Sequence, residues 1–193
     1  QTDGVEAFRL RWFPSNYLSL WSWAIMNEKD TLSFGGRVEF STNQGEWGFT
    51  YHMDPSNPHQ QVALDYRYDG FIGLWNESTL IQSDELEQRM ITIGSDYTLP
   101  IANGILVMIE SKFISRKENM SLSSQTFTAF MASLSIGIIH QVMLISNLDW
   151  DENNIYNYLH WSSTYERFSI NYMASINPNE MGNSFQLMLI YNH

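Results

Sequence analysis

A histidine and a serine two residues apart have the types and spacing that nucleophilic catalysis needs. His160 and Ser162 flank Trp161 in a stretch that alternates polar and apolar residues. On a β-strand such residues point to the same face, about 7 Å apart. A serine becomes a nucleophile when a histidine takes its proton, and Asn171 or Glu166 could orient the ring. We favour ordinary polar residues of a strand here, so no catalytic residue is predicted.

Histidine and carboxylate side chains that could bind a metal are few and widely spaced in the sequence. His52 and Asp54 also share a strand face, but no third ligand lies near them in the sequence, and His59 falls in a polar connection. Structural and catalytic metal sites need at least three protein ligands in most cases. The sequence therefore predicts neither a metal site nor a cofactor.

The composition limits the class of protein. The net charge is −11 with no basic cluster, so a nucleic-acid partner is not expected. Charged residues make up only 16% of the 193 residues and aromatic residues 15%, whereas soluble domains carry about 25% charged residues. This balance indicates either an apolar solvent around part of the exterior or a large buried aromatic content. The longest nearly apolar window, 129–139, is too short for a membrane-spanning helix.

Period-two alternation recurs along the whole chain, which is typical of an all-β protein. Turn-forming residues separate the alternating segments, and no linker divides the chain, so one domain over residues 1–193 is expected. A polar loop is predicted at "SRKENMSLSS", residues 115–124. The thirteen candidate strands are 5–13, 17–27, 31–42, 46–54, 61–69, 71–81, 88–98, 104–115, 125–136, 139–150, 155–165, 167–177 and 183–193.

Each predicted strand has one apolar and one polar face. In 31–42, for example, Phe34 and Phe40 alternate with Arg37 and Glu39. The apolar face would point inward in a soluble barrel or sandwich and outward, toward lipid, in a transmembrane barrel. Aromatic residues near the ends of the predicted strands favour the second reading, because Trp and Tyr form girdles at membrane interfaces. They are Trp12, Phe13, Trp21, Trp23, Trp47, Tyr66, Tyr68, Trp75, Tyr97, Trp150, Tyr156, Tyr158, Trp161, Tyr165 and Tyr191.

The C-terminal segment "SFQLMLIYNH" carries Phe185, Leu187, Leu189 and Tyr191 at alternate positions. It resembles the C-terminal insertion signal of Gram-negative outer-membrane β-barrel proteins, although the chain ends in His193 where that family usually ends in Phe. The resemblance implies a transmembrane antiparallel up-and-down β-barrel in the bacterial outer membrane, with the lipid bilayer as its partner. Single-chain bacterial barrels have an even strand count. We therefore expect about 12 strands, with 61–69 and 71–81 forming one element or 5–13 not forming a strand, unless the chain is the C-terminal part of a larger barrel.

The polar faces then predict a lumen. The charged residues expected to line it are Arg9, Arg11, Arg37, Glu39, Glu46, Asp65, Arg67, Asp69, Asp96, Glu110, Lys112 and Asp149. Their mixed signs indicate a narrow porin-like channel for small polar solutes. Three alternatives stay open: a non-conducting scaffold barrel among envelope protein partners, an acyl hydrolase, and a soluble lipocalin-like binder. Outer-membrane acyl hydrolases carry a serine and histidine that His160 and Ser162 resemble.

Overall fold

The computed structural model describes residues 6–26, 31–55, 59–119, 121–178 and 182–191, and within these ranges every regular element is a β-strand. No helix among the described residues is long and apolar enough to cross a membrane. The strands are β1 (Glu6–Ser15), β2 (Leu18–Met26), β3 (Leu32–Thr42), β4 (Gly45–Asp54), β5 (His59–Asp69), β6 (Gly73–Ser83), β7 (Leu86–Leu99), β8 (Ile105–Glu118), β9 (Ser121–Ile136), β10 (His140–Asp149), β11 (Asn154–Thr164), β12 (Phe168–Ile176) and β13 (Ser184–Tyr191).

The strands follow one another in a single up-and-down antiparallel sheet, in the order β1 to β13. This confirms the all-β prediction, whereas the reduction to twelve strands is wrong. β5 and β6 are separate strands that pair up to Asp69 and Gly73, because three residues including Gly70 suffice to reverse the chain. Within the described residues β1 pairs only with β2, and β13 only with β12, so closure into a barrel stays a prediction.

The chain forms two compact units. Unit 1 comprises Gln1–Ile93 with Phe113–Ser124, and unit 2 comprises Gly94–Lys112 with Gln125–His193. The second segment of unit 1 is the tip of the β8–β9 hairpin. The backbone N–H of Asn119 in this tip donates to the carbonyl of Glu85, 3.0 Å away, in the β6–β7 turn.

This hairpin tip corrects one sequence-based expectation. The polar segment 115–124 was predicted as a loop, but β8 extends to Glu118 and β9 begins at Ser121. Asn119, with φ of 53°, occupies the left-handed conformation that Asn tolerates in tight turns. Both strands are solvent-exposed at their ends here. The apolar–polar signal is therefore lost although the backbone ladder continues.

The described residues lack the buried apolar core that a soluble domain has. Within the described residues no hydrophobic side chain is buried, and the buried polar residues are Ser19, Ser33 and Ser163. Large apolar side chains such as Phe49 and Leu159 are exposed by 47% and 45%. Residues directly opposite each other in an antiparallel sheet share a face. In each unit the register thus places most of these exposed apolar side chains on one face of its sheet, which we call the apolar face, whereas Met188 and Ile190 of β13 are exposed on the other face.

Candidate functional site: a charged face on β1 to β5

The register brings eight of the predicted lumen residues to one face of unit 1. Arg11 lies opposite Trp21, which lies opposite Arg37. Two residues further along β3, Glu39 lies opposite Gly48 of β4, which lies opposite Asp65 of β5. We call this surface the charged face. Its predicted members are Arg9, Arg11, Arg37, Glu39, Glu46, Asp65, Arg67 and Asp69.

Arg37 is the centre of the charged face. Its Nε donates to Glu39 Oε1 at 2.8 Å, and its Nη1 donates to Thr50 Oγ1 at 2.8 Å and to Asp65 Oδ2. The guanidinium therefore links β3 to β4 and to β5. Its side chain is 27% exposed, and those of Glu39 and Asp65 are 34% and 32% exposed. The geometry fits the fork of donors that makes arginine suited to binding two carboxylates at once.

Gly48 explains how Arg37 reaches Asp65 across an intervening strand. Gly48 of β4 lies directly between Glu39 of β3 and Asp65 of β5 in the register. A Cβ at this position would lie 2.8 Å from Arg37 Cζ and 3.1 Å from Asp65 Oδ2. The absence of a side chain thus leaves the space that the guanidinium occupies.

An aromatic and hydroxyl layer continues the network toward β1. Ser19 donates to Glu39 Oε2 at 2.7 Å and accepts from Trp21 Nε1 at 3.0 Å. The guanidinium of Arg11 lies 4.0 Å from the centre of the Trp21 ring and 3.7 Å from Glu39. That of Arg9 lies 5.2 Å from the same ring. Trp21 thus holds two cations through cation–π contacts.

A second long side chain also passes over a glycine. Trp23 of β2 donates from Nε1 to His52 Nδ1 on β4 at 3.1 Å, and Gly35 of β3 lies between them in the register. A Cβ at Gly35 would approach Trp23 Cε2 to 2.6 Å. The sequence assigned Trp21 and Trp23 to a girdle at strand ends, which is wrong. Both lie in the middle of β2 on the charged face. There the ring of Trp21 contacts the guanidinium of Arg11, and that of Trp23 stacks on His52.

The predicted lumen residues that do not contact Arg37 or Trp21 are more dispersed, both within the charged face and outside it. Arg67 pairs with Asp69 at 3.1 Å near the end of β5, where both side chains are about two-thirds exposed. Glu46 lies directly opposite Arg67.

Four predicted lumen residues lie outside the charged face. In unit 2, Asp149 ends β10 and shares the face of His160. Asp96 lies on β7 and Glu110 and Lys112 on β8.

The candidate catalytic residues are only partly brought together. His160 Nε2 and Asn171 Oδ1 are 2.9 Å apart, so the predicted orienting contact is present. Because an amide oxygen only accepts, Nε2 is the donor in this bond, and in the neutral ring the lone pair is then on Nδ1. Ser162 lies opposite Asn171 in the register, yet it forms no hydrogen bond with His160 among the described residues. The arrangement lacks the nucleophile-to-base contact that serine activation requires.

The histidine and serine that do bond each other are His140 and Ser163, which sequence reasoning missed. Nδ1 of His140 and Oγ of Ser163 are 2.8 Å apart on the apolar face. They are 23 residues apart, so only the β10–β11 register could have revealed the pair. Ser163 is 5% exposed, which hides its hydroxyl from a substrate. The bond satisfies two polar groups within an apolar surface.

Among the described residues, no three His, Cys, Asp or Glu side chains lie close enough to hold a metal ion. His52, near Asp54 on β4, instead contacts His59, with ring centres 6.3 Å apart. Comparison of this chain with protein-family models, with characterised proteins and with solved structures finds no match.

Proposed function

We propose that this chain is an outer-membrane β-barrel whose charged face lines a narrow pathway for small polar solutes. The observation that carries the proposal is that no apolar side chain is buried among the described residues. Exposed apolar side chains cover one face, while the other holds partly buried ion pairs. In water such a surface would be costly, because soluble proteins rarely expose large continuous apolar patches. In lipid the same pattern is the expected one.

Polar side chains on the apolar face of unit 2 support this proposal. Ser146 donates to Asn157 Oδ1 at 2.7 Å, and His140 bonds Ser163. In hydrocarbon no water is available to satisfy such groups, so each needs a partner within the protein. Paired polar groups are therefore compatible with a surface that contacts acyl chains.

The balance of positive and negative side chains on the charged face indicates which solutes the proposed pathway would admit. Arg11 and Arg37 are matched by Glu39 and Asp65, and these side chains are interlocked by short contacts. A wall of alternating charges attracts small ions and polar molecules of either sign only weakly. We therefore expect low conductance and modest selectivity, with Arg37 holding the two carboxylates in place.

Envelope fractionation tests the location. Expressed with a secretion signal, the protein should pellet with outer membranes, need detergent for extraction, and migrate differently on SDS gels before and after boiling. A monomer that is stable without detergent would contradict the proposal and favour a soluble binder. Planar-bilayer recording then tests conduction. Folded protein that inserts without conducting would leave a barrel that serves as a scaffold.

A further inference from the structure

We propose that the sheet of unit 2 binds a soft monovalent metal cation of the Cu(I) class through Met143, His160 and Met173. These residues belong to three neighbouring strands, β10, β11 and β12. The inference rests on contacts within unit 2 alone, and it does not depend on the channel proposed for the charged face.

The register places the three side chains in one row. Met143 lies directly opposite His160, and His160 lies directly opposite Met173. Opposing residues in antiparallel strands share a face, with Cβ atoms about 5 Å apart. A methionine side chain is long and flexible enough to bring its sulfur to the imidazole from either side. The row therefore places one thioether side chain on either side of one imidazole.

The imidazole is already oriented for binding. Nε2 of His160 donates to Asn171 Oδ1 at 2.9 Å, so in the neutral ring the lone pair is on Nδ1. Histidines that bind metals usually donate their second N–H to a fixed acceptor, which sets the tautomer and the ring angle. Asn171 is in this sense a positioning residue for His160.

The donor set selects the type of cation. Thioether sulfur is a soft ligand that favours Cu(I), whereas carboxylates and carbonyls favour Mg²⁺ and Ca²⁺. On this face of β9 to β13 the register places methionine, tyrosine, serine, amide and aliphatic side chains, and Asp149 is its only carboxylate among the described residues. A monovalent ion held by three neutral donors needs no carboxylate at the site, whereas a hard divalent ion would.

Silver(I) is the probe of choice, because it shares the soft ligand preference of Cu(I) and needs no reductant. Titration calorimetry of the folded protein in chloride-free buffer should give one Ag⁺ per chain. Met143→Leu, Met173→Leu and His160→Gln should each weaken this binding at least about tenfold, and Asn171→Ala by about tenfold or more. Leucine is close to methionine in volume, so the two Leu variants should fold normally.

Two further methionines provide matched controls. Met131 lies on the same face opposite Ile145, and Met26 lies on β2 in unit 1. Met131→Leu and Met26→Leu should leave the affinity unchanged within about twofold. In wild-type protein carrying ¹³C-methyl methionine, the first equivalent of Ag⁺ should shift only the signals that the Met143 and Met173 variants remove.

The proposal is overturned if the Leu variants bind Ag⁺ as tightly as wild type, or if all methionine signals shift together. It is also overturned if Met131→Leu weakens the binding of Ag⁺ as much as Met143→Leu does. Because the readout is metal binding, failure here would leave the results of fractionation and bilayer recording unaffected.

Discussion

Arg37 of β3 and Asp65 of β5 form an ion pair although a complete strand, β4, runs between them. The guanidinium spans β4 above Gly48, where a Cβ would come within 2.8 Å of Arg37 Cζ. Trp23 reaches His52 in the same manner above Gly35. Two contacts between next-nearest strands thus depend on a missing side chain in the strand between.

Gly48→Ala should destabilise the protein by about 1–3 kcal/mol, the usual cost of forcing extra atoms into a packed site. The cause would be displacement of Arg37, so the cost should largely disappear when Gly48→Ala is made in an Arg37→Gln background. Denaturant unfolding of the four proteins in this double-mutant cycle measures the coupling. Additive effects of the two substitutions would show that Gly48 acts independently of Arg37.

Arg37→Gln should make the pathway more selective for cations. The substitution removes the positive group that Glu39 and Asp65 share. We expect the cation-to-anion permeability ratio to rise on the order of fivefold, the ratio that about 1 kcal/mol produces. Reversal potentials across a salt gradient in planar bilayers give this value. Arg116→Gln is the control, because Arg116 pairs with Glu118 in the exposed hairpin tip. An equal shift in both variants would argue against a pathway along the charged face.

Leu159→Arg separates a lipid-facing surface from a water-facing one. Leu159 lies in the middle of β11 on the apolar face and is 45% exposed. In a bilayer an arginine at mid-depth costs about 2–4 kcal/mol, whereas on a wetted surface the change should be within about 0.5 kcal/mol. Ile138→Arg, in the β9–β10 turn, is the control and should be tolerated in either case. Unfolding after insertion into lipid vesicles measures both, and equal stability of the two variants would count against lipid contact at β11.

Ser163→Ala should destabilise the protein by about 1–3 kcal/mol, because it leaves His140 without its hydrogen-bond partner on the apolar face. Ser162→Ala, one residue away on the opposite face, should cost little. Comparing the unfolding midpoints of the two variants tests this difference. A larger effect at Ser162 would instead indicate that its hydroxyl acts on the His160 side of the sheet.

Much of the fold was predictable from local sequence. Alternation at period two identified all thirteen strands, since it reflects which side chains of one strand share a face. It failed at residues 115–124, where both faces are polar and the signal vanishes although the hairpin continues. The idea of merging 61–69 with 71–81 came instead from the even strand count of bacterial barrels, and the structure separates the two strands by the three-residue turn 70–72.

For the candidate site, the sequence predicted which residues belong to the charged face but not how they contact one another. Placing Arg37, Glu39 and Asp65 on the polar faces of their strands required nothing beyond alternation. Their mutual contacts were not predictable, and neither was the stacking of Arg11 on Trp21. For the same reason the sequence could not show which histidine and serine are bonded. His160 and Ser162 are close in sequence but form no hydrogen bond, whereas His140 and Ser163 do.

The sequence by itself determined the strands, their two faces and the acidic, cysteine-free composition. These follow from the geometry of a single extended chain and from residue types. Only the tertiary structure decided the cross-strand neighbours: Gly48 beneath Arg37, Gly35 beneath Trp23, and His160 between Met143 and Met173. The physical reason is register. Shifting one strand by two residues keeps every side chain on its face and yet replaces all of its partners.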